Sequence, residues 1–265
     1  GSWQWATMAG GAQGYDIALS IDVGPNGNAF IAGYFQFTSG FGSDSITSNG
    51  GSDMFIAKIS QQGDWVWAEG AGSTSNAEAH AISVDSQGAV FVAGGFYTGI
   101  TFGNISYSSG GYSNSFIAKA IDQGNSVVWD WALRVSSSNL NLAEDMTFDS
   151  NGNLIVTGWF TGTAAFGNSV LTSSGNQDIY VAKILANGNL AWAQKAGSGS
   201  NDVGLGIGMD PQGNLYVTGY FFQNTISFGS VDIATSGGFD AFIAKMSLDY
   251  DQDAIPDSLD DDDDG

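Results

Sequence analysis

Ala81–Phe96 reads AISVDSQGAVFVAGGF, followed by SFIAKAI at Ser115–Ile121 and VVWDWALRV at Val127–Val135. Apolar and polar residues alternate on both sides of Asp85-Ser86-Gln87-Gly88. This is a hairpin pattern whose turn needs glycine for a positive φ. The two later segments are short and rich in β-branched and aromatic residues. They predict a third and a fourth strand, the last reached through Asp122-Gln123-Gly124-Asn125. No stretch sustains a 3.6-residue apolar period, so no long helix is expected.

The same unit recurs. FIAK or YVAK ends at Lys58, Lys119, Lys183 and Lys245, with steps of 61, 64 and 62 residues. A second phrase ends at Phe35, Phe96, Phe160 and Phe221, and a third places tryptophan at Trp5, Trp67, Trp131 and Trp192. A Phe-Gly pair recurs at Phe41, Phe102, Phe166 and Phe228. Four antiparallel strands repeated radially make a propeller blade, so the expected fold is all-β, a four-bladed β-propeller. The repeats span about 3–64, 65–127, 128–189 and 190–248, and an acidic segment occupies 249–265. The first repeat begins with a lone fourth-type strand, Trp3–Ala9, and the last ends on a third-type strand, Ala241–Ser247. Pairing the two completes the last blade, closes the ring and removes both free edges.

The phrases D-x-x-G-N-x-x-V-T-G, D-x-F-I-A-K and W-A resemble the bacterial β-propeller repeat family of secreted and surface proteins (SBBP-like repeats). The resemblance implies a propeller in an extracellular or cell-surface setting and no single activity.

Composition narrows the partners. Net charge is −21, and only six residues are Lys or Arg. Phosphate neutralisation needs a basic surface, so nucleic acid is not expected as a partner. There is no Cys, which removes thiolate metal sites and a Cys nucleophile. No apolar run is long enough to span a bilayer, so membrane insertion is not expected. Cations, glycans and proteins remain.

Nine of the 27 acids lie between Asp249 and Asp264. Asp249, Asp251, Asp253, Asp257 and Asp260 place carboxylates at spacings that wrap a hard cation such as Ca²⁺. The stretch is similar to the thrombospondin type 3 calcium repeat, with IPDSLD intact and Ala254 where that pattern has Gly. The competing reading is a solvated acidic linker.

The loops from fourth to first strands bring Asp16, Glu78, His80, Glu144, Asp145 and Asp202 to one rim. A His beside carboxylates is compatible with acid–base or metal chemistry. Against that, the acids do not occupy equivalent positions in the four phrases, as expected of varied surface loops. The recurring lysines are expected to pair with acids, among them Asp22, Asp85, Asp149 and Asp210. Asp53, Asp178 and Asp240, with Asn114 in the second copy, are expected to bond loop amides, and the tryptophans to pack between blades. The function expected is non-catalytic: a binding, adhesion or assembly module of a larger secreted protein, stiffened by calcium, with a protein or glycan ligand on the loop face. The alternatives are a self-assembling subunit of a filament or surface layer, a lectin, and a hydrolase using the rim acids.

Overall fold

The computed structural model describes residues 1–247, so the aspartates proposed as calcium ligands lie outside the described residues. The first repeat forms β1 (Asp16–Val23), β2 (Ala29–Phe35), β3 (Thr38–Phe41), β4 (Asp44–Thr47), β5 (Asp53–Ile59) and β6 (Trp65–Ala71). The second forms β7 (Ala77–Val84), β8 (Ala89–Phe102), β9 (Ile105–Asp122) and β10 (Val127–Ser137). The third forms β11 (Asn141–Phe148), β12 (Leu154–Phe160), β13 (Thr163–Phe166), β14 (Ser169–Thr172), β15 (Asp178–Ile184) and β16 (Leu190–Ala196). The fourth forms β17 (Asp202–Met209), β18 (Asn214–Phe222), β19 (Thr225–Phe228), β20 (Val231–Ala234) and β21 (Phe239–Ser247). All pairings within the sheets are antiparallel, and no helix occurs among the described residues.

Each repeat is built on one sheet: β1-β2-β5-β6, then β7-β8-β9-β10, then β11-β12-β15-β16, then β17-β18-β21. The hairpin of β13 and β14 extends the second sheet beyond β10. The turn between the first two strands is the same in all four repeats. Gly24, Asp85, Asp149 and Asp210 donate their N–H to the carbonyl four residues on. The residue at the third turn position is Gly27, Gly88, Gly152 or Gly213, with φ between +74° and +86°. This alignment corrects one expectation. Asp22 is not the counterpart of Asp85, because Gly24 holds that place. Asp22 instead accepts the Val84 N–H of the next sheet at 2.7 Å.

The cores lie between sheets. Phe30, Ala32, Met54 and Ile56 pack on Ile82, Val92, Phe96 and Phe116. Phe91 and Ile117 pack on Met146, Phe160 and Tyr180, and Ile155 and Val181 on Leu215, Phe221 and Phe242. Side chains alternate along each strand, so one set meets the preceding sheet and the other the following one. The tryptophans act as expected at these seams. Trp67 Nε1 donates to Asp122 of the second sheet at 3.0 Å, and Trp131 Nε1 to the Ala186 carbonyl of the third at 3.3 Å.

The lysines find acids by different routes. Lys58 reaches Asp122 at 2.6 Å across the seam, Lys183 reaches Asp149 at 3.0 Å within its own sheet, and Lys119 lies 3.8 Å from Asp130. Only Asp149 among the four hairpin acids named from sequence is such a partner among the described ion pairs.

The expected ring closure is not made. Among the described residues the fourth sheet has three strands, and β21 pairs there with β18 alone. Trp3–Ala9 instead lies along the first sheet. Trp5 Nε1 donates to the Gln61 carbonyl at 2.9 Å, Trp65 Nε1 donates to the Met8 carbonyl at 3.1 Å, and Gly10 bridges to Gly40. The physical reason is that this segment makes the fourth-strand contacts to the sheet that follows it. Trp5 sits over Gly63 as Trp131 sits over Gly188, where an added Cβ would come within 2.8 Å of either ring. Those contacts do not require the preceding sheet to be present.

Candidate functional site

The first strand of every sheet carries a β-bulge in the same place: between Ala18 and Ser20, Ala79 and Ala81, Ala143 and Asp145, and Gly204 and Gly206. A bulge re-aims the extra side chain. The bulged residues are Leu19, His80, Glu144 and Leu205, so His80 and Glu144 occupy equivalent positions on neighbouring strands. The phrases conceal this because the bulge shifts the alternation by one residue.

The two side chains meet. His80 Nδ1 lies 2.9 Å from Glu144 Oε2, and His80 Nε2 faces Glu78 Oε2 at 3.5 Å. Trp159 Nε1 donates to Glu144 Oε1 at 2.9 Å, so both Glu144 oxygens are engaged. Trp159, from the motif ending at Phe160, was not among the residues singled out from sequence. Burial works against charge on the His80 ring, but the hydrogen bonds and negative charges of Glu144 and Glu78 outweigh it and hold the pKa up at about 9. At neutral pH the ring is an imidazolium that donates and has no lone pair to accept a proton.

The other rim acids bond backbone amides, and Asp16 and Asp202, paired with Phe35 and Phe221, occupy one repeat position, contrary to the expectation that no two rim acids are equivalent. Asp16 accepts the Gly11 N–H at 2.9 Å and the Ser39 hydroxyl. Asp145 accepts the Ile207 N–H of the fourth sheet at 2.9 Å, and burial raises its carboxyl. Ser20 does the same at the seam between the first and second sheets, accepting from Ile82 at 3.1 Å. Asp202 is buried and accepts the Ser198 N–H at 2.5 Å, with its carboxyl raised by burial and further by the charge of Asp178. Of the six rim residues named from sequence, only Glu78, His80 and Glu144 come together.

Asp53, Asp178 and Asp240 bond loop amides as expected, from Asn49 and Ser174 at 2.8 Å and Ser236 at 2.7 Å. Asp53 also lines a cleft of about 350 Å³ with Thr47, Asn49, Glu69 and Thr101. Burial raises both carboxyls in it. Glu69 follows a tryptophan motif and carried no signal in the sequence.

These features define an all-β repeat protein of face-to-face antiparallel sheets, with a charged triad on the first strands of its second and third sheets. No family model matches the chain. It is 24% identical over 269 residues to the uncharacterized WD repeat-containing protein L264 of Acanthamoeba polyphaga mimivirus, covering 84% of this chain and 19% of that protein. It is 26% identical over 262 residues to the regulatory protein FlaEY of Caulobacter vibrioides, covering 90% and 27%. The chain thus spans about a quarter or less of the curated relatives it matches. The likeness to a WD repeat-containing protein agrees with a propeller-like repeat architecture. A crystal structure of a protein of unknown function from Dyadobacter fermentans aligns with a TM-score of 0.42 at 10% identity, over 84% of this chain and 59% of that one. No helix among the described residues is long and apolar enough to cross a membrane.

Proposed function

We propose that the chain is a non-catalytic binding and assembly module of the propeller type, working in a secreted or surface protein, with calcium held by Asp249, Asp251, Asp253, Asp257 and Asp260. The observation that carries the non-catalytic reading is the state of the triad. A general base needs a pKa near the working pH. Both ring nitrogens of His80 face glutamates, which hold its pKa up at about 9, and both Glu144 oxygens are already engaged. The remaining rim acids are tied to backbone amides at or between sheets, which leaves the loops free to vary around a rigid frame. A panel of chromogenic glycosides and esters tests this. No turnover is expected. Chromophore release that disappears in Glu144→Gln overturns the reading and restores a hydrolase.

The calcium assignment rests on the aspartate spacing alone. Calcium binding only to the ordered form raises the unfolding midpoint by mass action, worth about 2.7 kcal/mol at a hundredfold excess over Kd. Added calcium is expected to raise the midpoint of the intact chain and leave a chain ending at Leu248 unmoved. Equal responses of the two chains to calcium and chelator remove the site.

A further inference from the structure

One buried carboxylate lacks the cation that its repeat equivalent holds. Asp53 stands opposite Phe35 and Asp178 opposite Phe160, so the two occupy one position of the repeat. They are 2% and 0% exposed. Each fixes the loop before it, with Oδ2 accepting the N–H four residues back, from Asn49 or Ser174. On Asp178 the same oxygen also receives Lys195 Nζ at 3.0 Å, and that ammonium donates to the Ser174 hydroxyl at 2.6 Å. Lys195 stands opposite Tyr180 on the neighbouring strand. Its counterpart, opposite Phe55, is Gly70. Among the described residues no ion pair reaches Asp53.

In the first repeat the place of that lysine is taken by the cleft of about 350 Å³, which Gly70 and Asp53 both line. Phe35 and Ile46 give it an apolar wall, and Thr47, Asn49 and Glu69 supply oxygens. Glu69 stands where the third repeat has the neutral Gln194. The first site therefore has one positive charge fewer and one negative charge more than the third. Asp53 Oδ1 has no hydrogen bond of good geometry. The amides of Asn49 and Ser73 offset only part of the burial that raises its carboxyl. Asp178 Oδ1 is unpartnered as well, so what separates the two sites is the ammonium. A buried carboxylate without a counter-charge is costly, and a cation relieves it.

We propose that this cleft, between the first and second sheets, binds a primary alkylammonium group. Asp53 and Asn49 take its –NH₃⁺ as Asp178 and Ser174 take Lys195 Nζ, and its carbon stem lies along Phe35. An ammonium is favoured over a bare metal ion by three observations. The group that fills the equivalent position is an ammonium, the cleft has room for a stem as well as a charge, and part of its wall is apolar. The net charge of −21 draws cations to the chain. A lysine side chain of a protein partner and a free alkylamine present the same group, and the test separates them. The inference goes beyond the assembly reading and uses neither the rim triad nor the acidic segment.

Thermal unfolding of the intact chain tests it, with n-butylammonium chloride as the probe. Tetramethylammonium chloride at equal ionic strength is the control, because it has charge but no N–H to donate. n-Butylammonium is expected to raise the midpoint above the control, and Asp53→Asn to remove the difference. Asparagine is tolerated at this position. Asn114 holds it in the second repeat and accepts the N–H of Ser137, the counterpart of Ser73, at 3.0 Å. Gly70→Lys supplies the ammonium from within. A Cβ at Gly70 would meet the Phe35 ring at 3.4 Å, an ordinary contact. This variant is expected to unfold at a higher temperature than Gly70→Met, which adds a stem without the charge. It is also expected to need at least tenfold more n-butylammonium for the same shift. In an Asp53→Asn background the advantage of lysine over methionine disappears. Nα-acetyl-lysine N-methylamide identifies the source: protection equal to that by n-butylammonium assigns a partner's lysine, and protection by n-butylammonium alone assigns a free amine. Either result supports the site. No protection by either amine, equal protection of Asp53→Asn, or protection by calcium chloride alone that Asp53→Asn removes overturns the proposal.

Discussion

Gly158→Ala is expected to destabilise the protein by about 3 kcal/mol or more, at the upper end of what overpacking costs. The cause is spatial. A Cβ at Gly158 would lie 2.0 Å from the carbonyl oxygen of Leu142, on the strand facing it. That oxygen is held by the bulge between Ala143 and Asp145, so it has no rotamer through which to retreat. The same contact recurs at Gly33 with Ile17 at 1.9 Å, Gly94 with Glu78 at 2.0 Å and Gly219 with Val203 at 1.8 Å. Relief requires β11 and β12 to separate, which disturbs the seam that both strands serve. For a chain of this size the loss corresponds to a fall in Tm of roughly 6–12 °C. Gly208→Ala is the control, because nothing lies within 4 Å of its added Cβ, and it is expected to stay within about 0.5 kcal/mol of wild type. Urea unfolding of the two variants measures both. A Gly158→Ala midpoint equal to that of Gly208→Ala means that the bulge does not bring the carbonyl there.

The second large effect is on stability against pH. His80 has its pKa raised from 6.5 to about 9 by the two glutamates, working against burial. A raised folded-state pKa means that the native protein binds the proton more tightly than the unfolded chain does. The stabilisation is therefore fully present below pH about 6.5 and is lost as pH rises through about 9. At about 1.4 kcal/mol per unit, the loss is on the order of 3 kcal/mol. The window is favourable for measurement, since the chain has one His and no Cys. Unfolding free energies of wild type and His80→Gln, compared from pH 6 to pH 10, are expected to converge toward the alkaline end. Parallel curves refute the triad as a source of stability.

Much of the architecture was legible because packing repeats where sequence repeats. FIAK alternates faces along β5, β9, β15 and β21. The recurring tryptophans and phenylalanines meet at the seams, and glycine marks each turn that needs a positive φ. Local chemistry dictates such features, so short phrases report them. The bulges were not legible. A bulge inserts one residue into a strand without changing its composition, so His80 and Glu144 read as unrelated rim residues although they occupy one position. The Asp22 assignment failed similarly, because the first turn is spelled with Gly24 where the others use Asp.

By itself the sequence determined the number of repeats, the order of the main strands within them and the location of the turns between the first two strands, all of which follow from side-chain period and residue type, but not the extra hairpins β3-β4, β13-β14 and β19-β20. Only the tertiary structure decided which rim acids meet, why the glycine opposite each bulge admits no other residue, and that Trp3–Ala9 lies on the first sheet and not beside β21. Those outcomes depend on distances between strands far apart in the chain and on the angle at which packed sheets turn. No local pattern of residues encodes either.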